Sequence, residues 1–164
     1  MIIRPATQAD LPTILDIYND AVTNTTAIWN WNTVDLANRQ AWFEARAKQD
    51  YPILVAGAEG SVSGYASYGD WRPFDGYRYT VEHSIYVAAS ARGQGIGARL
   101  LEALIAKARE GGKHIMLGGI EAGNEASLAL HRRFGFLETG RMPEVGQKFG
   151  KWLDLVFMQL RLGE

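Results

Sequence analysis

Residues 91–101 read ARGQGIGARLL, with Gly93, Gly95 and Gly97 leading into a stretch whose apolar spacing predicts a helix. Alternating glycines clear side chains from the backbone, so that N–H groups can close around an anion. A helix N-terminus behind them adds partial positive charge. The chemistry is phosphate binding, with Arg92 as an adjacent cation. Upstream, TVEHSIYV (80–87) reads as a strand whose alternation puts Val81, His83, Ile85 and Val87 on one face. That face belongs in a core. Thr80, Glu82, Ser84 and Tyr86 share the other face, which looks into a cleft beside the glycine loop. A carboxylate there can serve as general base. A solvated strand carboxylate is the plainer alternative, and the nearby phosphate loop weighs against it.

The owner of the phosphate is narrowed by the flanking residues. A nucleoside triphosphate loop needs Lys and then Ser or Thr after its last glycine, whereas Gly97 is followed by Ala98 and Arg99. Gly93, Gly95 and Ala98 satisfy the relaxed dinucleotide pattern, and Glu121 lies past the next strand. That fingerprint belongs in a first βα unit, however, and here it falls beyond the middle of the chain. Arg92, Gly95 and Gly97 form R-x-x-G-x-G between a strand and an amphipathic helix, a third pattern that would suit coenzyme A.

The elements that must position these groups follow from periodicity and punctuation. MIIRPA is a short strand. Thr7 caps a helix with Leu11, Ile14, Leu15, Tyr18 and Val22 on its apolar face, and Thr33 is a cap candidate for a second helix. Strands at 51–59, 62–71 and 78–87 precede the glycine loop. The following helix buries Leu100, Leu101, Leu104 and Ile105 and stops at Gly111–Gly112. A strand at 114–120, a helix at 124–134 and two last strands complete the order β-α-α-β-β-β-α-β-α-β-β. A Gly- and Lys-bearing loop joins those last strands. The expectation is an α/β fold, a mixed and mostly antiparallel sheet with helices on both faces.

Composition closes off other classes. The 164 residues suit one domain, 1–164, and 17 basic against 18 acidic residues give no pull toward nucleic acid or anionic membranes. The absence of cysteine excludes disulfides, thiolate metal sites and a cysteine nucleophile. His83, His114 and His131 have no zinc-ligand spacing, so no metal is expected. MIIRPATQADLP lacks a signal-peptide layout and no segment is apolar enough to span a membrane; a cytoplasmic location is expected.

The R-x-x-G-x-G run resembles the pyrophosphate loop of the GNAT N-acetyltransferase superfamily, which binds acetyl-CoA, and the element order is similar to that acyl-CoA N-acyltransferase fold throughout. Five blocks, TVEHSIYV, RGQGIG, IEAGNEAS, LHRRFGF and VGQKFGKWLDL, resemble the phosphinothricin and methionine sulfoximine acetyltransferase branch. The resemblance implies Glu82 as the base and backbone contacts to the pantetheine arm from Ile85, Tyr86 and Val87. The Val87 N–H would meet the developing oxyanion. Arg92, Gly93, Gln94, Gly95, Ile96, Gly97 and Ala98 would hold the pyrophosphate, with Asn124 and Ser127 as further cofactor contacts. His131 stands where many members carry a tyrosine. Two roles stay open for it: acid to the leaving thiolate, and a hydrogen-bonded, half-buried histidine.

For the acceptor the resemblance implies N-acetylation of methionine sulfoximine, methionine sulfone or phosphinothricin, a detoxification of glutamine synthetase inhibitors. Arg72 and Arg78 flank the turn containing Phe74, Asp75, Gly76 and Tyr77 just ahead of Glu82, and a guanidinium suits an α-carboxylate. Trp29, Trp31, Phe74 and Tyr77 could wall the side-chain pocket, a weakly charged lining that favours the neutral sulfoximine or sulfone. The loop 145–154, with Trp152, is expected near the active site and across the twofold axis of a homodimer. Acetylation of protein N-termini, lysines or polyamines, and a non-catalytic acyl-CoA sensor, are the alternatives.

Overall fold

Ile53–Ala58 forms a strand buried on both faces, Leu54 and Ala56 toward one layer of helices, Ile53 and Val55 toward the other. It sits second from the edge of a seven-stranded sheet in a computed structural model that describes residues 1–163. In chain order the elements are β1 (Ile3–Pro5), α1 (Leu11–Asn24), α2 (Leu36–Lys48), β2 (Ile53–Ala58), β3 (Ser61–Asp70) and β4 (Thr80–Val87). Next come α3 (Ile96–Glu110), β5 (Ile115–Glu121), α4 (Glu125–Arg133), β6 (Leu137–Lys148) and β7 (Lys151–Arg161). This is the order read from the sequence. The sheet runs β1-β2-β3-β4-β5-β7-β6, and every pairing is antiparallel except β4 with β5.

Two cores flank the sheet. Helix α3 buries Ile96, Leu100, Leu101, Leu104, Ile105 and Ala108 against one face, the helical stripe that periodicity predicts. On the opposite face α1 buries Leu11, Ile14 and Ile17 against Val55 and Tyr65. Ile17 takes the buried position that the sequence reading gives to Leu15, which is half-buried.

Three local expectations change. Thr7 opens a 3-10 turn (Gln8–Asp10) ahead of α1, and the chain entry is fixed by buried Asp10. Its carboxylate accepts from both Arg4 terminal nitrogens and from the Thr7 N–H, each at 2.8 Å. Asp35, not Thr33, caps α2, accepting from the Asn38 N–H at 2.9 Å; the preceding Val34 is held by Asn19 through two 3.0 Å bonds, which delays the helix start. Finally, most of 145–154 is not loop. β6 and β7 extend through it to a tight turn at Phe149 and Gly150, with φ of 53° and 71°. A two-residue turn with both φ positive matches the twist of the flanking strands.

Candidate active site

The parallel pairing of β4 and β5 covers only Thr80–Glu82 against Ile115–Leu117. Beyond it the strands part. On its far side β4 stays paired with β3 to its end, and the Ala88 N–H donates to Ser63 O at 2.8 Å. In that antiparallel register the even-numbered residues of β4, Tyr86 included, commit their backbone groups to β3. Ile85 and Val87 therefore turn their N–H and C=O groups into the opening. The same reasoning applies to β5, where the Ala122 N–H donates to Asp154 O at 2.9 Å and Gly119 faces the gap. Unpaired strand edges of this kind are templates for an extended partner. Of the three residues expected to make backbone contacts, Tyr86 is thus placed to contribute only its side chain.

A cavity of about 810 Å³ occupies this opening and reaches both faces of the sheet. On the α3 side it is lined by Ile85, Val87, Arg92, Gly93, Gly95, Ile96, Gly97, Ala98, Asn124 and Ser127. Gly93 and Gly95 have φ of 76° and 77°, left-handed values that side chains resist, and Gly95 is the N-cap of α3. Nothing lies within 4 Å of where a Cβ would stand on either. The backbone is open to a ligand at a helix N-terminus, which suits a pyrophosphate. Arg92 braces the loop, its Nε donating to Val87 O and one terminal nitrogen reaching Asp20 on α1, each at 3.3 Å. Asn124 caps α4 by accepting from the Ser127 N–H at 3.2 Å.

On the α1 side Glu82 lines the cavity with Trp29, Trp71, Gly119, Leu155 and Phe157. Trp71 and Phe157 meet edge to face, centroids 5.3 Å apart. Burial in this apolar setting pushes the Glu82 carboxyl above its ordinary value.

Where β4 and β5 part, two buried histidines form a pair. His131 Nδ1 lies 2.7 Å from Ser127 O, and His131 Nε2 lies 2.9 Å from His83 Nε2. A carbonyl only accepts, so His131 Nδ1 carries its proton. His131 Nε2 then accepts from His83 Nε2–H, and His83 Nδ1 is left a bare acceptor without a partner. Burial, reinforced by His131, holds His83 neutral, its pKa lowered to about 3, and burial also lowers that of His131. Neutral His131 thus has no proton on the nitrogen that faces His83.

The pair needs Gly118, where a Cβ would stand 2.9 Å from His83 Nε2. Next to it a Cβ on Gly119 would approach Glu82 Oε2 at 3.6 Å from the other face. Gly118 thus makes room for the histidine pair, whereas a Cβ on Gly119 would meet Glu82 at ordinary contact distance.

The expected residues divide. Glu82, Ile85, Tyr86, Val87, Arg92, Gly93, Gly95–Ala98, Asn124, Ser127, His131 and Trp29 are brought together around the cavity. Gln94 is not among its lining residues. Trp31, Arg72, Phe74, Asp75, Gly76, Tyr77 and Arg78 are exposed and line none of it. Phe74 packs on Tyr77, Arg78 lies over the Tyr79 ring, and Arg72 rests against Trp71 with 5.7 Å from guanidinium to ring centroid. Trp71, a tryptophan beside a loop and so open to a pocket or packing role from sequence, is part of the wall; Gly119, Leu155 and Phe157 are wall residues that sequence reasoning did not single out. Of these three only Gly119, in a double glycine unusual inside a strand, carried a signal. Among the described residues no group of three or more His, Asp or Glu is gathered to hold a metal ion.

The acetyltransferase (GNAT) family model matches residues 12–136 of the chain. Over 161 residues the chain is 68% identical to the L-methionine sulfoximine/L-methionine sulfone acetyltransferase of Pseudomonas paraeruginosa, covering 98% of this chain and 94% of that one. Among solved structures, a ribosomal-protein-alanine N-acetyltransferase from Brucella melitensis is 59% identical, with a TM-score of 0.96 over 98% of this chain and 99% of that one. An acetyltransferase from Salmonella typhimurium, solved with its cofactor acetyl-CoA, is 57% identical, with a TM-score of 0.97 over 99% of this chain and 94% of that one.

Proposed function

The chain belongs to the GNAT acetyltransferase family, and from that premise we propose that it acetylates the α-amino group of small neutral amino acids of the methionine sulfone and sulfoximine class. The supporting observation is the cavity in the β4–β5 opening, glycine cradle on one face and Glu82 among aromatics on the other. Acetyl-CoA, when bound, supplies an activated acetyl thioester. Gly93 and Gly95–Ala98 would present backbone N–H groups to its pyrophosphate, and the free backbone edge at Ile85 would pair with its amide-bearing arm. Asn124 and Ser127 lie along the same side of the cavity.

Glu82 takes a proton from the acceptor ammonium, directly or through one water, and frees the lone pair for attack. The Val87 N–H, fixed by the sheet and turned into the opening, meets the negative charge developing on the acetyl oxygen. His131 is assigned no acid role, because its one proton is held on Ser127 O. As the C–S bond breaks, the second proton of the attacked nitrogen passes through water to the departing sulfur, and the proton taken up by Glu82 returns to solvent.

The acceptor side chain lies against Trp29, Trp71, Leu155 and Phe157. No cation lines that wall, and Glu82 already places a carboxylate there. An anionic phosphinate is therefore a poorer guest than a sulfone or sulfoximine. Arg72, beside Trp71 at the rim, is the cation we assign to the α-carboxylate. A cytoplasmic location fits these substrates; no helix of the described residues is long and apolar enough to cross a membrane.

The test is a thiol-release assay with acetyl-CoA against methionine sulfone, methionine sulfoximine, phosphinothricin, spermidine and an alanine-terminated peptide. Turnover of the sulfone and sulfoximine above all others is expected. Turnover confined to the peptide or polyamine would overturn the acceptor assignment.

A further inference from the structure

Trp29 reaches the cavity from residues 25–35, a connection between α1 and α2 without regular structure. Such a segment needs something to hold it, and three consecutive residues of the β6–β7 hairpin do so. Lys148 is 2% exposed, and its ammonium donates to Thr25 O at 2.6 Å and to Ile28 O at 2.5 Å. Gln147 O accepts from the Trp31 indole N–H at 2.8 Å. Gly146 lies under Trp29 so closely that a Cβ there would stand 2.2 Å from the indole.

Among the described residues Lys148 forms no salt bridge; carbonyl oxygens alone receive its hydrogen bonds. A buried ammonium without a carboxylate is costly unless its geometry serves something, and burial lowers its pKa accordingly. The segment it holds includes Ala27, Ile28 and Trp29, all three of which line the cavity on the acceptor side.

We infer that the hairpin residues Gly146–Lys148 set the position of the acceptor wall, with Lys148 as a positioning residue for acceptor recognition. The inference rests on the acceptor lying against Trp29, as proposed above. Trp31, expected to contact the acceptor, is instead a strap: its exposed indole ties the wall to the hairpin. Acetyl-CoA enters on the other face and does not touch this clasp. Loosening the clasp therefore separates the two substrates.

Steady-state kinetics of Lys148→Met and Trp31→Phe test this, with methionine sulfone and acetyl-CoA varied in turn. Lys148→Met keeps the length of the stem and removes the donors. Trp31→Phe removes one exposed N–H and leaves no buried void, so it stays informative if the lysine variant does not fold. The expected result is an acceptor KM raised about tenfold by Lys148→Met and about threefold by Trp31→Phe, with the KM for acetyl-CoA within about twofold of wild type. A purely structural role would lower the melting temperature and change both KM values or kcat alike. That parallel change, or an unchanged acceptor KM in a folded variant, would overturn the inference. Failure of the wild-type enzyme to turn over the sulfone would instead reject the acceptor assignment, and the same split is then read with whichever acceptor the panel finds.

Discussion

The base role proposed for Glu82 draws on a poor setting for a carboxylate. On a cavity wall shared with Trp29, Trp71, Leu155 and Phe157, it gives up hydration, and its pKa rises by desolvation. The sign of the consequence is fixed. A general base works deprotonated, so kcat/KM for the acceptor falls as pH drops through the raised value, and the acidic limb lies above the ordinary glutamate range of about 4.3. A pH profile of kcat/KM, which reports the free enzyme, measures that limb; a midpoint at the ordinary value would contradict the burial argument. The same shift acts against the fold. A carboxyl with a raised folded pKa lends stability below its unfolded pKa and loses it as pH rises through the folded one, so at neutral pH the ionised Glu82 is a liability. Glu82→Gln is expected to melt higher than wild type at pH 7, a direction that thermal unfolding checks. Asp10 is the opposite case. Arg4 first, then the Thr7 N–H, hold its pKa down to about 2, so its contribution is present above about pH 4 and is lost as pH falls toward 2.

At the scale of elements, the site is a place where two strands stop pairing, and glycines decide what fits there. Gly118→Ala drives a methyl into the His83–His131 pair and is expected to cost about 1–3 kcal/mol in urea unfolding, as overpacking does. An unchanged midpoint would mean that the pair yields easily. Gly95→Val puts a branched side chain at φ 77° on the helix N-cap, and acetyl-CoA affinity by calorimetry is expected to be lost. Much of this was legible in the chain. Alternation in TVEHSIYV separated Glu82 from His83, and Arg92 with three glycines marked the cradle. The rest was not, for identifiable reasons. VGQKFGK carries turn-forming residues, yet only Phe149–Gly150 turn, because pairing with β7 keeps Gly146 and Lys148 in the strand. Trp71 and Phe157 are distant in sequence and meet only across the sheet. Phe74–Arg78 lie close to Glu82 along the chain, but they are exposed and line none of the cavity. Which backbone groups face the opening depends on where β4 leaves β5, and no single strand records that.

At the scale of the molecule, the β6–β7 hairpin also exposes Val145 on the edge strand β6, Phe149 at the turn and Trp152 on β7, the last 66% exposed. An open edge strand beside exposed aromatics needs a cover. We propose a second copy of this chain, forming a homodimer; sedimentation equilibrium should return twice the 18.2 kDa chain mass, and Trp152→Glu should shift it toward monomer. A wild-type monomer would reject the dimer and leave the active site intact. In the proposed reading the rest of the molecule serves one meeting point, cofactor from the α3 face and acceptor from the α1 face beside Glu82. The most direct measurement is thiol release by Glu82→Gln at saturating acetyl-CoA and methionine sulfone, with acetyl-CoA affinity determined alongside. A fall in kcat of roughly 10²–10⁴-fold with unchanged cofactor affinity is the expected result. A fall of less than about threefold would contradict Glu82 as the base and, with it, the assignment of this opening as the place of proton transfer.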